Sequence, residues 1–93
     1  MRENVIRKRI RFYGRVQGVG FRYYAYNSAN KFGATGWVKN EFDGSVSMEI
    51  QGTEDQIRRT IDALSRGAYI RIDSADVRDI PVVEDERKFR TRY

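Results

Sequence analysis

The sequence predicts an α+β sandwich whose elements run β-α-β-β-α-β, with a tail strand after them. Three observations carry this: strict period-two alternation over Ser45 to Gln51, a helical stripe over Phe21 to Phe32, and a capping-box pattern at Thr53 to Gln56. Val5 to Tyr13 reads as the first strand, with Ile6, Ile10 and Phe12 on a dry face and Lys8 interrupting them. Arg7, Arg9 and Arg11 fall on the other face, which is expected to be wet. In the next segment Phe21, Ala25, Ser28/Ala29 and Phe32 share one side of a helix, and Gly33 is a natural C′ stop.

Ala34 to Asn40, carrying Trp37, reads as the second strand. Glu41-Phe42-Asp43-Gly44 is a hairpin signal through its Asp-Gly pair. The third strand turns Val46, Met48 and Ile50 inward and Ser45, Ser47, Glu49 and Gln51 outward, and Gly52 ends it. Thr53 reaching forward and Gln56 reaching back would start a second helix along Ile57, Ile61 and Leu64, closed by Gly67. Tyr69 to Ile80 is a fourth strand of irregular alternation, with a bulge expected near Ser74-Ala75 and a stop at Pro81. Glu84-Asp85-Glu86 is a polar loop, and Lys88 to Tyr93 a short last strand with Phe89, Thr91 and Tyr93 on one side. Two split βαβ units with right-handed crossovers put both helices on one face of an antiparallel sheet of four to five strands. This is the ferredoxin-like sandwich.

Ninety-three residues make a single domain, 1–93, with no visible repeat or linker. A chain of this size buries only about 60–65% of its unfolded surface, so the functional site is expected in a surface cleft. The absence of cysteine excludes disulfides and thiolate chemistry. The absence of histidine removes the usual general base, the commonest metal ligand and the Ser-His nucleophile pair. No apolar run approaches the ~20 residues of a membrane span. Met1-Arg2-Glu3-Asn4 lacks a signal-peptide core, so a cytoplasmic protein without a membrane partner is expected. The formal charge of +5 favours an anionic partner without choosing among them.

Gly14-Arg15-Val16-Gln17-Gly18-Val19-Gly20-Phe21-Arg22 joins the first strand to the first helix. Glycines there permit turns that aim free N–H groups at one spot, which suits an anion. Arg22 then sits in the first helical turn, where the helix dipole disfavours a cation by about 0.3–1 kcal/mol. A residue that breaks a local rule is a candidate for a task outside folding, and a phosphate would repair this one. The same spacing also serves as a plain connector, and it is neither a Walker sequence nor a dinucleotide fingerprint. The second ordered pattern is Gly36-Trp37-Val38-Lys39-Asn40, then Asp43-Gly44-Ser45-Val46, then Gln51-Gly52. Taken alone, Asn40 is most simply a turn residue and Trp37 a packing residue.

Together the two patterns resemble, in order and separation, the two signatures of the acylphosphatase family, and the likeness extends to the last strand, Phe89 to Tyr93. The resemblance implies hydrolysis of acyl phosphates to carboxylate and inorganic phosphate. It makes Arg22 the phosphate-binding arginine and Asn40 the residue that positions the attacking water. It assigns the backbone of Arg15, Val16, Gln17, Gly18, Val19 and Gly20 to the phosphoryl oxygens. It implies no cofactor and no metal, a small-molecule acyl phosphate as substrate and inorganic phosphate as product. Tyr23, Tyr24 and Tyr26 make the first helix tyrosine-rich, a feature that bears on the cleft rim and the choice of acyl group.

Two rivals remain on the sequence. RNA-recognition domains share the sandwich, and Arg7, Arg9 and Arg11 with Tyr13 could face a nucleic acid. The third strand, however, has none of the stacking aromatics of such domains, so no nucleic-acid partner is expected. Similar domains also begin larger hydrogenase-maturation proteins that handle carbamoyl phosphate and continue into cysteine-rich zinc segments. No such segment occurs within these residues, which favours an independent enzyme. The charged edge residues Arg87, Lys88, Arg90 and Arg92 argue for a monomer.

Overall fold

The computed structural model describes residues 4–93. Residues 1–3, and with them most of the segment read for a leader, lie outside the described residues. The elements are β1 (Ile6–Arg15), α1 (Phe21–Phe32), β2 (Thr35–Asn40), β3 (Val46–Gly52), α2 (Glu54–Leu64), β4 (Arg71–Ile80) and β5 (Phe89–Arg92). The sheet order is β4-β1-β3-β2-β5. All pairings are antiparallel except β5, which runs parallel to β2. No helix of the described residues is long and apolar enough to cross a membrane.

The core lies between the sheet and the two helices. Ile10, Met48 and Val38 stand opposite one another across β1, β3 and β2, all nearly sealed from solvent. The row above them runs Phe12, Val46, Asn40. A polar residue therefore ends a line of helix-facing apolar ones. From α1, Phe21, Ala25 and Ala29 complete the core, the alanines letting the helix lie close to the sheet. Each fully buried large side chain contributes roughly 1.5–3 kcal/mol.

Helix ends follow the chain's own signals, with one exception. Gly33 takes a left-handed φ of 82°, and the Ala34 amide donates back to the Ala29 carbonyl at 2.9 Å, a Schellman-type stop. The capping box of α2 forms as read: the Gln56 amide donates to the Thr53 hydroxyl and the Thr53 amide to the Gln56 side chain. The far end of α2 differs. It closes at Leu64 with Ser65 as its cap, not at Gly67. Gly67 lies against side chains instead: an added Cβ would come within 2.6 Å of the tip of Ile70, which would have to shift. Tyr69 likewise stays in the turn, and β4 begins two residues later. The expected β4 bulge is at Asp73, which is skipped where Tyr13 pairs Ser74 and Gly14 pairs Ile72.

The outer sheet face corrects the sequence reading. Arg7 was expected in water, yet its side chain is 2% exposed. It donates to Glu49, Gln51 and Glu86, while Gln51 exchanges hydrogen bonds with the backbone of Val83. The segment after β4 therefore folds back over this end of the sheet. Ser45, Ser47 and Gln51 do face outward but are buried, because β3 is the central strand. Arg9 pairs with Glu49 and Arg11 with Asp43, so all three arginines of this face are engaged by carboxylates.

The β2–β3 connection, residues 41–45, is closed by the Glu41 amide donating to the Ser45 carbonyl, and inside it Gly44 takes a left-handed φ of 94°. The Asp43 carboxylate accepts from the Ser45 amide at 2.9 Å and from its hydroxyl at 2.6 Å. The hydroxyl first, then the amide, and Arg11 beyond them hold the Asp43 pKa down, from 3.8 to about 2. A carboxylate depressed in the folded state stabilises at pH above its ordinary range and loses that contribution as pH falls toward 2. In a carboxyl NMR titration Asp43 is expected to titrate near pH 2. A midpoint near the unperturbed ~3.9 would mean that the loop's bonds do not form.

Candidate active site

The site begins with the turn between β1 and α1. Val16 is buried at 1% exposure and ties the turn to the core, and Val19 packs against the same core. Gly18 and Gly20 take left-handed φ values of 71° and 82°. Alternating them with ordinary residues folds the backbone into a concavity of the kind that binds anions. Gly20 is the N-cap of α1, and no side chain caps that end. Among the described residues, no hydrogen bond takes the amides from Val16 to Gly20, nor those of Phe21, Arg22 and Tyr23; the first amide of this run to be used is that of Tyr24, which donates to the Gly20 carbonyl. Arg15, one residue earlier, is still paired with Arg71 in the sheet.

This turn forms one wall of a cleft of about 560 Å³. Gly18 and Gly20 line it, and a glycine can offer only backbone. Arg22 reaches it from the first turn of α1, Asn40 from the end of β2, and Thr91 and Tyr93 from β5. Tyr23 and Tyr26 form the side toward the helix. The structure thus brings Arg22, Asn40, Val16, Gly18 and Gly20 to one cleft, while the side chains of Arg15, Gln17 and Val19 are not on its lining.

Arg22 makes no ion pair among the described residues. Its neighbours are the Arg92 carbonyl, at a long 3.4 Å, and the Tyr93 ring, whose centroid lies 4.9 Å from the guanidinium carbon. α1 has no acidic residue in its first turn either. A guanidinium, a helix N-terminus and a row of unpaired amides therefore meet without a compensating anion. Asn40 stands in the ladder opposite Val46, on the helix-facing side, and its side-chain amide has no partner among the described residues. Its free donor and acceptor face the same cleft as Arg22. Within the described residues no group of three or more Asp and Glu is gathered to hold a metal ion.

Sequence reasoning missed three contributors. The Gln17 side-chain amide donates to the Glu41 carbonyl at 2.7 Å and to the Ser45 carbonyl at 2.8 Å. It ties the glycine turn to the loop that follows Asn40, so the two walls of the cleft are held in register. A glutamine inside a known motif gave no hint that its own side chain did this. Thr91 and Tyr93 are brought in by the parallel β2/β5 pairing, in which Val38 opposes Thr91. Only the alternation of Phe89, Thr91 and Tyr93 hinted at their common side. Removing the Gln17 amide with Gln17→Ala should cost about 1–2 kcal/mol of stability, read as a lower denaturant midpoint with an unchanged slope.

Residues 8–91 match the acylphosphatase sequence family. The chain belongs to the acylphosphatase family. An acylphosphatase of Geobacillus kaustophilus is 44% identical to it, with 86% of each chain covered. One of Clostridium beijerinckii is 38% identical over 86% of this chain and 90% of that relative. The crystal structure of acylphosphatase from Bacillus subtilis superposes with a TM-score of 0.86 at 34% identity, covering 95% of this chain and 99% of that one. Full-length HypF in its phosphate- and nucleotide-bound form is similar as well, with a TM-score of 0.88 at 27% identity, over 100% of this chain but 12% of that one. The acylphosphatase fold and the ferredoxin-like α+β sandwich read from the sequence are therefore the same architecture.

Proposed function

We propose that this acylphosphatase hydrolyses acyl phosphates to a carboxylate and inorganic phosphate, with the phosphoryl group gripped by Arg22 and the backbone of the 15–20 turn. The observation that carries this reading is a cationic cleft that holds, among the described residues, unpaired amides, a helix N-terminus and a guanidinium with no carboxylate partner. Such a cleft is complementary to a tetrahedral oxyanion. Within the turn, Val16 to Gly20 contribute the free amides, and Arg15 contributes the strand end from which they hang.

The reaction suits a site without histidine or cysteine. The carboxylate leaves readily, so no strong general acid is needed. Water attacks phosphorus in line, the bond from phosphorus to the acyl oxygen breaks, and the carboxylate departs with that electron pair. Charge in the loose transition state lies on the equatorial phosphoryl oxygens. Arg22 can hold two of them at once through its planar fork, and the amides take the remainder. Asn40 orients the water through its side-chain amide, and the proton lost by that water goes to a phosphoryl oxygen. Rate enhancement then comes from positioning and electrostatic stabilisation.

The enzyme acts as a single-domain, cytoplasmic monomer on a small molecule, with neither a nucleic acid nor a membrane as partner. Both exposed edges of the sheet support the monomer: β4 carries Asp73, Asp76, Arg78 and Asp79, and β5 carries Arg90 and Arg92. The deciding assay follows release of phosphate from benzoyl phosphate, with inorganic phosphate as a competitive inhibitor. Absence of turnover by the folded protein would end the proposal.

A further inference from the structure

We propose that Tyr23 and Tyr26 form an acyl-group subsite that favours an uncharged aromatic acyl phosphate over acetyl phosphate. The inference rests on the reading of this cleft as the acyl phosphate site. A cleft of about 560 Å³ lies within the ~300–1,000 Å³ of small-ligand sites and exceeds what a phosphate against the glycine turn would fill. The remaining space has the two tyrosines on its helical side.

Their placement follows from the helix. Arg22 and Tyr26 are four residues apart and Tyr23 and Tyr26 three apart, so all three share one surface of α1. An acyl group attached to a phosphoryl held by Arg22 would lie in the cleft that these two tyrosines also line. The fold itself makes little use of them. α1 packs its core through Phe21, Ala25 and Ala29, while Tyr23 and Tyr26 are 70% and 45% exposed. Neither hydroxyl has a hydrogen-bond partner among the described residues. The Tyr23 and Tyr24 rings pack in a T-shape, at 5.9 Å and 82°. Tyr93, across the cleft, is already engaged by the Arg22 guanidinium, so the helical pair is what remains for the acyl group.

Charge decides the class of acyl group. Among the described residues, Arg22 is the one charged residue on the cleft lining. An acyl group carrying its own phosphate or carboxylate would find no second cation among the described lining residues, whereas a flat neutral ring would lie beside two tyrosines.

The test is steady-state kinetics with benzoyl phosphate and acetyl phosphate on the intact protein and on Tyr23→Ala, Tyr26→Ala, the double alanine variant and the corresponding phenylalanine variants. Comparing the ratio of kcat/KM values between variants cancels the different intrinsic reactivity of the two mixed anhydrides. The double alanine variant is expected to lower the benzoyl-to-acetyl ratio about tenfold, chiefly through the KM for benzoyl phosphate. The phenylalanine variants, which keep the rings, are expected to keep the ratio. A double alanine variant that hydrolyses both substrates with an unchanged ratio overturns the subsite alone. Failure of the unmodified protein to hydrolyse either substrate overturns the reaction assignment, and the subsite with it.

Discussion

Arg22→Ala is expected to lower kcat by about 10²–10³ or more, the scale seen when a single donor to a developing oxyanion is removed. Among the described residues the guanidinium is the only positive side chain on the cleft lining. Arg22→Lys is expected to recover part of the loss at most. An ammonium carries the charge but not the planar fork that takes two oxygens together, and it has no equivalent of the guanidinium face lying on Tyr93. Stability should move the other way or not at all. A cation in the first turn of α1 opposes the helix dipole, so its removal relieves about 0.3–1 kcal/mol of unfavourable interaction. Loss of turnover with an unchanged or raised melting temperature therefore separates a functional role from a structural one. An Arg22→Ala protein that is folded and turns over normally would sink the assignment. The Arg92 carbonyl and the Tyr93 ring, at the end of the described chain, are the neighbours of the Arg22 guanidinium.

Most of the fold was legible in the sequence because its determinants are local. The capping box of α2 needs only Thr53 and Gln56, and the Gly33 stop needs only a residue that tolerates positive φ. Alternation in β3 reports one face against the other without reference to partners. What was illegible depended on segments distant in the chain. Nothing near Arg7 announces that Glu86 will cross over and bury it, so a charged residue on an alternating strand read as wet. Strand order decides that Ser47 is sealed while polar residues of β4, the edge strand, are exposed, and order is not written in any one strand. The end of α2 failed for a further reason. A glycine after a helical stripe need not be a left-handed cap, and Gly67 lies beyond the Ser65 cap, beside the Ile70 side chain. At the site, Arg22 stood out because it violates the dipole rule, whereas Gln17 violates nothing and its bracing of the two walls appears only with the β2–β3 loop in place.

Asn40→Ala is expected to lower kcat by about 10²-fold or more, while inorganic phosphate still inhibits with nearly its original strength. The size follows from what Asn40 supplies. Fixing a nucleophile in line is worth several kcal/mol, and misplacement by 1 Å can cost about 10²-fold. Asn40 ends the row that begins at Phe12 and Val46, so its backbone is set by the sheet and only its side-chain amide is left for the water. With the phosphoryl group held by Arg22 and the turn, as proposed above, removal of the Asn40 amide would leave that grip intact, and the loss would fall on kcat with KM little changed. Asn40→Asp distinguishes orientation from proton removal. A carboxylate could accept the proton that an amide cannot, but it would also bring a negative charge against an incoming dianion. If orientation by the amide is what matters, Asn40→Asp should be at least as poor as Asn40→Ala and should bind phosphate more weakly. A higher rate for Asn40→Asp than for Asn40→Ala, rising with pH through an ordinary carboxylate range, would instead assign this position to a general base. Full turnover by Asn40→Ala would remove it from the mechanism.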